Sequence, residues 1–129
     1  MAVVVLDASV VIGHLSDRDA HHEAAAAALL ERADDELYLP ATAFAEALVE
    51  PERQRASERA RSLIGSLGVV VDPIGEATAV QAARLRARHP SLRLPDALVI
   101  AHADVLGADE VLTTDTRWRR LSPRVRIVG

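Results

Sequence analysis

Asp7, Asp96 and Asp115 are the residues whose types and positions suggest chemistry carried out together. Asp7 ends the apolar run Val3-Val4-Val5-Leu6, Asp115 follows Val111-Leu112-Thr113-Thr114, and Asp96 opens a long apolar stretch after Leu94-Pro95. Carboxylates gathered in one place repel, and one of them would ordinarily keep its proton. A hard cation removes that conflict, and Mg2+ or Mn2+ prefers oxygen ligands. Each acid also has a plainer explanation. Asp7 can cap a helix, Asp96 lies where a helix dipole favours an acid, and Asp115 suits a turn. Glu46, nearly opposite Phe44 on a helix, is by periodicity a surface acid. Only the combination points to a shared site.

The elements that must position these acids follow from apolar patterning. Val3–Leu6 is apolar on both faces, as expected of a parallel strand covered by helices. Further strands are expected at 37–39, 69–71, 110–113 and 125–128. Helices are expected at 8–15, from an Asp17 or Asp19 cap through the Ala24–Ala28 tract to about Arg32, from Pro40 to a break at Pro51, and from there to Gly68. Two more run at 76–88 and 94–106, the last stopped by Gly107. The inward faces are expected to carry Ala41, Phe44, Ala45 and Leu48; then Ala56, Ala60, Leu63, Ile64 and Leu67; then Val80, Ala83 and Ala87. Alternating strands and helices give an α/β fold, a mainly parallel sheet of four to five strands flanked by helices. In such a fold strand ends and helix starts share one sheet edge, so the three acids can converge.

Composition limits the function classes. The 129 residues make one domain, 1–129, with half of them hydrophobic and none of them cysteine, which excludes disulfides and thiolate metal sites. No apolar run reaches the roughly 18 residues of a membrane span, and no basic segment precedes the first apolar run. The chain is therefore expected to be soluble and cytoplasmic. The net charge of −4 argues against a general polyanion binder, yet all 15 basic residues are arginine. Arginine suits bidentate phosphate contacts, although codon usage is the plainer cause. The absence of lysine removes a receiver domain, which needs one. Ser9 stands where a haloacid-dehalogenase-type phosphatase has its second Asp, and Ala8-Ser9-Val10 lacks the glycines of a dinucleotide-binding turn. Among the histidines, His21 and His22 are expected to be solvated and His102 packed, with His14 near the first acid. Trp118 is expected to close the last loop.

Four blocks carry a resemblance: Leu6–Ser9 (LDAS), Ala45–Pro51 (AEALVEP), Leu94–Ala103 (LPDALVIAHA) and Leu112–Asp115 (LTTD). In type and order they resemble the acidic signatures of PIN domains, above all those of VapC-type ribonuclease toxins from toxin–antitoxin pairs. The resemblance implies a Mg2+- or Mn2+-dependent endoribonuclease that leaves 5′-phosphate and 3′-hydroxyl ends. It assigns Asp7, Asp96 and Asp115 to the metal, completes the catalytic acids with Glu46, and gives Ser9 and Thr113 supporting roles. Arg84, Arg86, Arg88, Arg93, Arg117, Arg119 and Arg120 become candidates for holding the RNA backbone. A VapB-like antitoxin would lay a helix over the groove, with the Ala-rich helices between Ala20 and Arg61 offering apolar surface. A homodimer, or a larger toxin–antitoxin assembly, is implied as well. Many relatives carry a further acid two residues after the last one, followed by Phe. Here those positions are Arg117 and Trp118. That departure supports an alternative, a PIN-like module that binds RNA or protein without cutting.

Overall fold

The computed structural model describes residues 1–129. Five strands form one sheet: β1 (Val3–Leu6), β2 (Glu36–Pro40), β3 (Val70–Asp72), β4 (Glu110–Thr113) and β5 (Val125–Ile127). Their order is β3-β2-β1-β4-β5, and every neighbouring pair is parallel. The six helices are α1 (Ala8–Leu15), α2 (His22–Glu31), α3 (Ala41–Arg53), α4 (Ser57–Ser66), α5 (Glu76–Arg88) and α6 (Leu94–Leu106), and a 3₁₀ turn spans Thr116–Arg120.

The apolar runs lie where the sheet is deepest. Val4, Val5 and Leu6 of β1, and Val111 and Leu112 of β4, have no solvent exposure. Hydrophobic side chains on both sheet faces explain why these segments lack simple alternation. Leu6 pairs with Leu112, and the Asp7 amide donates to the Leu112 carbonyl at 2.9 Å. The chain builds outward from β1 through β2 to β3, then crosses to β4 and β5. The reversal between β1 and β4 is a topological switch point, where open α/β sheets form their ligand crevice.

Several expectations are corrected. The helix after the first one starts at His22. Asp19 lies in the preceding turn and accepts from the His21 amide rather than capping the helix. Pro51 sits inside α3 without breaking it. It forfeits one backbone bond, and the helix ends two residues later in any case. β3, expected at 69–71 from its apolar run, is an edge strand at 70–72, and its Val70 and Val71 are exposed.

The helix faces also differ. α3 buries Ala43 and Ala47, with Phe44 half-buried and Ala45 exposed. α4 buries Ala60 and Ile64 but exposes Leu63. On α5, Thr78, Ala82 and Leu85 face inward, while Val80, Ala83 and Ala87 face solvent.

The inward face of α5 has a polar cause. Buried His102 of α6 joins Thr78 Oγ1 at 3.0 Å through Nδ1 and Asp72 Oδ2 at 2.7 Å through Nε2. This chain ties α5, α6 and the end of β3 together, with His102 packed as expected. Gly107, at φ 65°, ends α6 in the left-handed conformation that glycine adopts without strain. No helix is long and apolar enough to cross a membrane.

Candidate active site

Asp7 follows β1, Asp115 follows β4, Asp96 lies in the first turn of α6, and Glu46 projects from α3. The acids at 7 and 115 thus flank the switch point. Asp7 is 7 % exposed and is anchored by two hydroxyls on one oxygen. Ser9 Oγ donates to Oδ2 at 2.7 Å and Thr113 Oγ1 donates to the same oxygen at 2.8 Å. Each hydroxyl also accepts a backbone N–H. Ser9 Oγ receives that of Thr114 at 3.1 Å, and Thr113 Oγ1 that of Asp115 at 3.1 Å. Thr113 therefore steers the Asp7 carboxylate directly and Asp115 through its main chain. The amides of Ala8 and Ser9 face Asp7 as well, although no capping bond to α1 forms.

The electrostatics divide the acids into two kinds. Burial pushes the Asp7 carboxyl above its ordinary value, against the pull of the Ser9 and Thr113 bonds. Burial, then the negative charges of Asp7 and Asp96, raise Glu46, with Arg93 opposing. Asp96 is raised by burial and by Asp7, again against Arg93, with smaller effects from Asp115 and Arg117. The charge of Asp7 thus reaches both Glu46 and Asp96, and that of Asp96 reaches Glu46, whereas Asp7 itself is raised by burial alone. Asp115 goes the other way: bonds from Arg117 hold its carboxyl low, outweighing its burial.

Arg117 grips Asp115 as a fork. Its Nε donates to Oδ1 at 3.0 Å, one terminal nitrogen donates to Oδ2 at 2.7 Å, and its backbone N–H adds a bond to Oδ1 at 2.9 Å. The grip makes Asp115 the cap of the 3₁₀ turn, so the plainer explanation of that residue holds beside the functional one. Trp118 is buried at the same turn. Its indole Nε1 forms no hydrogen bond of proper geometry, but it faces Asp115 closely enough to favour the ionised carboxylate.

Asp96 and Asp115 line one hollow, of about 210 Å³, with Arg93, Arg117 and Trp118. Glu46 lines a second hollow, between α1 and α3. An all-oxygen, mutually repelling donor set suits a hard divalent cation chemically. No three of these side chains, however, stand together closely enough to hold one ion as they are. That differs from the expected Asp7, Asp96, Asp115 ligand set. Asp7 is anchored by its hydroxyls, while Asp115 is turned onto Arg117.

The other expected residues scatter. Arg93 and Arg117 sit at the acids. Arg86 donates to the carbonyls of Pro90 and Leu92, tying down the loop before α6. Arg84 and Arg88 line a separate shallow surface on α5, and Arg119 and Arg120 are exposed on the 3₁₀ turn. His14 lies in an apolar hollow with Ala26 and Leu29, away from the acids, and His22 bonds the Gly13 carbonyl rather than solvent alone. Glu46 is exposed, as periodicity expected of it, and from that surface position lines the second hollow. The spacing of Asp115 and Arg117, two residues apart before a tight turn, is the signal that would have found the fork.

The PIN domain family model matches residues 4–122. No curated protein sequence matches the chain. Among solved structures, the chain is similar to one in a toxin–antitoxin complex from Klebsiella pneumoniae, at TM-score 0.80 and 23% identity over 95% of each chain. It is similar to the Mycobacterium tuberculosis toxin VapC20, which cleaves the sarcin–ricin loop, at TM-score 0.80 and 19% identity over 98% of this chain and 99% of that one. A chain of VapBC2 from Rickettsia felis, bound to a promoter DNA fragment, gives TM-score 0.78 at 12% identity, again over 98% and 99%. At these identities the structures establish the shared fold.

Proposed function

The chain belongs to the PIN domain family, and from that premise we propose that it is a metal-dependent endoribonuclease, the toxin of a toxin–antitoxin pair. The observation that carries the reading is the gathering of carboxylates beside the switch point, where the charge of Asp7 raises both Glu46 and Asp96 and where Asp96 shares a hollow with Asp115. Such a gathering favours a cation. A bound Mg2+ or Mn2+ supplies an activated water and offsets charge on a scissile phosphate.

The chain's own residues do the rest. Ser9 and Thr113 fix the Asp7 carboxylate. Asp96 is held by the first turn of α6, with Arg93 at the helix start. Glu46, its proton affinity raised by burial and by Asp7 and Asp96, is the carboxylate suited to take a proton from the attacking water. Arg93, exposed beside Asp96, is the first candidate to hold the RNA backbone. The products are RNA ends bearing a 5′-phosphate and a 3′-hydroxyl. The reading includes a VapB-like antitoxin over the groove, a homodimer or larger assembly, and action in the cytoplasm.

A second reading has one observation in its favour. Arg117 engages both oxygens of Asp115, as a module that binds RNA or protein without cutting could tolerate. Incubation of structured RNA with the purified chain and Mn2+ separates the two. A nuclease cleaves, is silenced by EDTA, and loses about 100-fold or more in rate in Asp96→Asn. RNA retained intact by both proteins supports the binding module instead.

A further inference from the structure

The residue at 117 does more than mark a missing acid. Oδ1 of Asp115 accepts two bonds from Arg117, at 2.9 and 3.0 Å, and Oδ2 accepts a third at 2.7 Å. With two lone pairs per oxygen, Oδ1 is fully engaged and only one position on Oδ2 remains. The guanidinium has no other partner, and its side chain is 80% exposed while that of Asp115 is 22% exposed. An exposed fork between residues two apart is weakly held and readily exchanged. The remaining acids have less relief: Glu46 and Asp96 both feel the charge of Asp7, with Arg93 tempering both and Arg117 only Asp96. Asp115 is thus the acid already paired with a cation, and no three acids of the pocket stand together closely enough to hold an ion.

We propose that Arg117 is an internal counter-cation that competes with the divalent ion for Asp115, so that full coordination at the acidic pocket requires the fork to open. The proposal rests on the reading of that pocket as a metal site. It makes Arg117 a positioning residue that acts through Asp115, and it gives the replacement of an acid by arginine a definite effect, weaker ion binding.

The test is Mn2+ binding, free of any RNA. Trp118 is the single tryptophan and lines the hollow with Asp115, so quenching of its emission by Mn2+ reports occupancy, with calorimetry as a check. Arg117→Ala is expected to tighten Mn2+ binding about threefold to tenfold, and Arg117→Lys, which keeps the charge but not the fork, to fall between it and the wild type. In an Asp115→Asn background the same Arg117→Ala change should alter affinity by less than about twofold.

Equal or weaker binding by Arg117→Ala, or an undiminished gain in the Asp115→Asn background, overturns the proposal while the metal-site reading stands. If neither the wild type nor any variant binds Mn2+ at millimolar concentration, that reading falls and the proposal falls with it. Thermal melts of each variant guard against misfolding, which the exposure of Arg117 makes an unexpected outcome.

Discussion

At the scale of single residues, Asp7 is buried where a carboxylate would ordinarily shed its charge, and the hydroxyls of Ser9 and Thr113 are what make the anion tolerable. They do not cancel the cost, because the carboxyl remains above its ordinary value. An acid raised in the folded state binds more protons folded than unfolded. Its contribution to stability therefore falls as pH rises through the window between the unfolded and folded values. At neutral pH Asp7 is a burden on the fold. Asp7→Asn should raise the unfolding midpoint at pH 7 by a few degrees, the response of a domain this size to about 1 kcal/mol. In a calorimetric series the difference from the wild type should shrink as pH drops into the ordinary carboxylate range. A constant difference at every pH would mean that shape, not charge, is responsible. Of these residues, the arrival of Asp7, Asp96 and Asp115 at one sheet edge was legible in the sequence, because strand ends and helix starts share that edge. Glu46 was legible only through its family block, since a helix face read alone does not reveal which neighbour approaches it. The fork on Asp115 was not anticipated, because a two-residue side-chain contact leaves no periodic trace.

Among the elements, the inward face of α5 departs from periodicity for a physical reason. On α5 the sequence suggests Val80, Ala83 and Ala87, whereas the contact with α6 selects Thr78, Ala82 and Leu85. Thr78 is buried because His102 needs a partner there, and His102 in turn reaches Asp72 at the end of β3. Hydropathy alone cannot weigh a hydrogen bond whose other half is 24 residues away. The arrangement predicts that His102→Leu, close in volume, leaves Thr78 without its partner. It should cost about 1–3 kcal/mol in urea unfolding. Paired Thr78→Val and His102→Leu should recover part of that loss, because the orphaned Thr78 hydroxyl is removed while Asp72, partly exposed, can turn to water. Additive losses in the double variant would show that packing, rather than the hydrogen bond, carries the effect.

For the molecule as a whole, alternation of strands and helices made the α/β class legible, and the doubly apolar first strand pointed to the sheet centre. The order of strands was not legible: short apolar runs such as 69–71 read alike whether they become a central strand or, as β3 does, an exposed edge. Net charge has a consequence at this scale too. A chain of net charge −4 meets RNA as one polyanion meets another, relieved only near Arg93 and the neighbouring arginines. Few phosphates can then be neutralised, and the salt dependence of binding should be shallow. Measured by fluorescence anisotropy in Mn2+, log Kd against log salt should give a slope of roughly 1 to 3, far below the value near 10 of a broad basic surface. A steep slope would point to an arginine surface larger than the pocket rim.

The bond from Thr113 to Asp7 spans 106 residues, so the first acid to be synthesised waits for almost the last secondary structure before it is held. A ribosome that has released only the first half of the chain carries β1 without its β4 neighbour, and with it an undirected Asp7. Under the proposed nuclease reading, translation order acts as a safety catch: the nascent polypeptide lacks the contact that directs Asp7 until its C-terminal strands emerge.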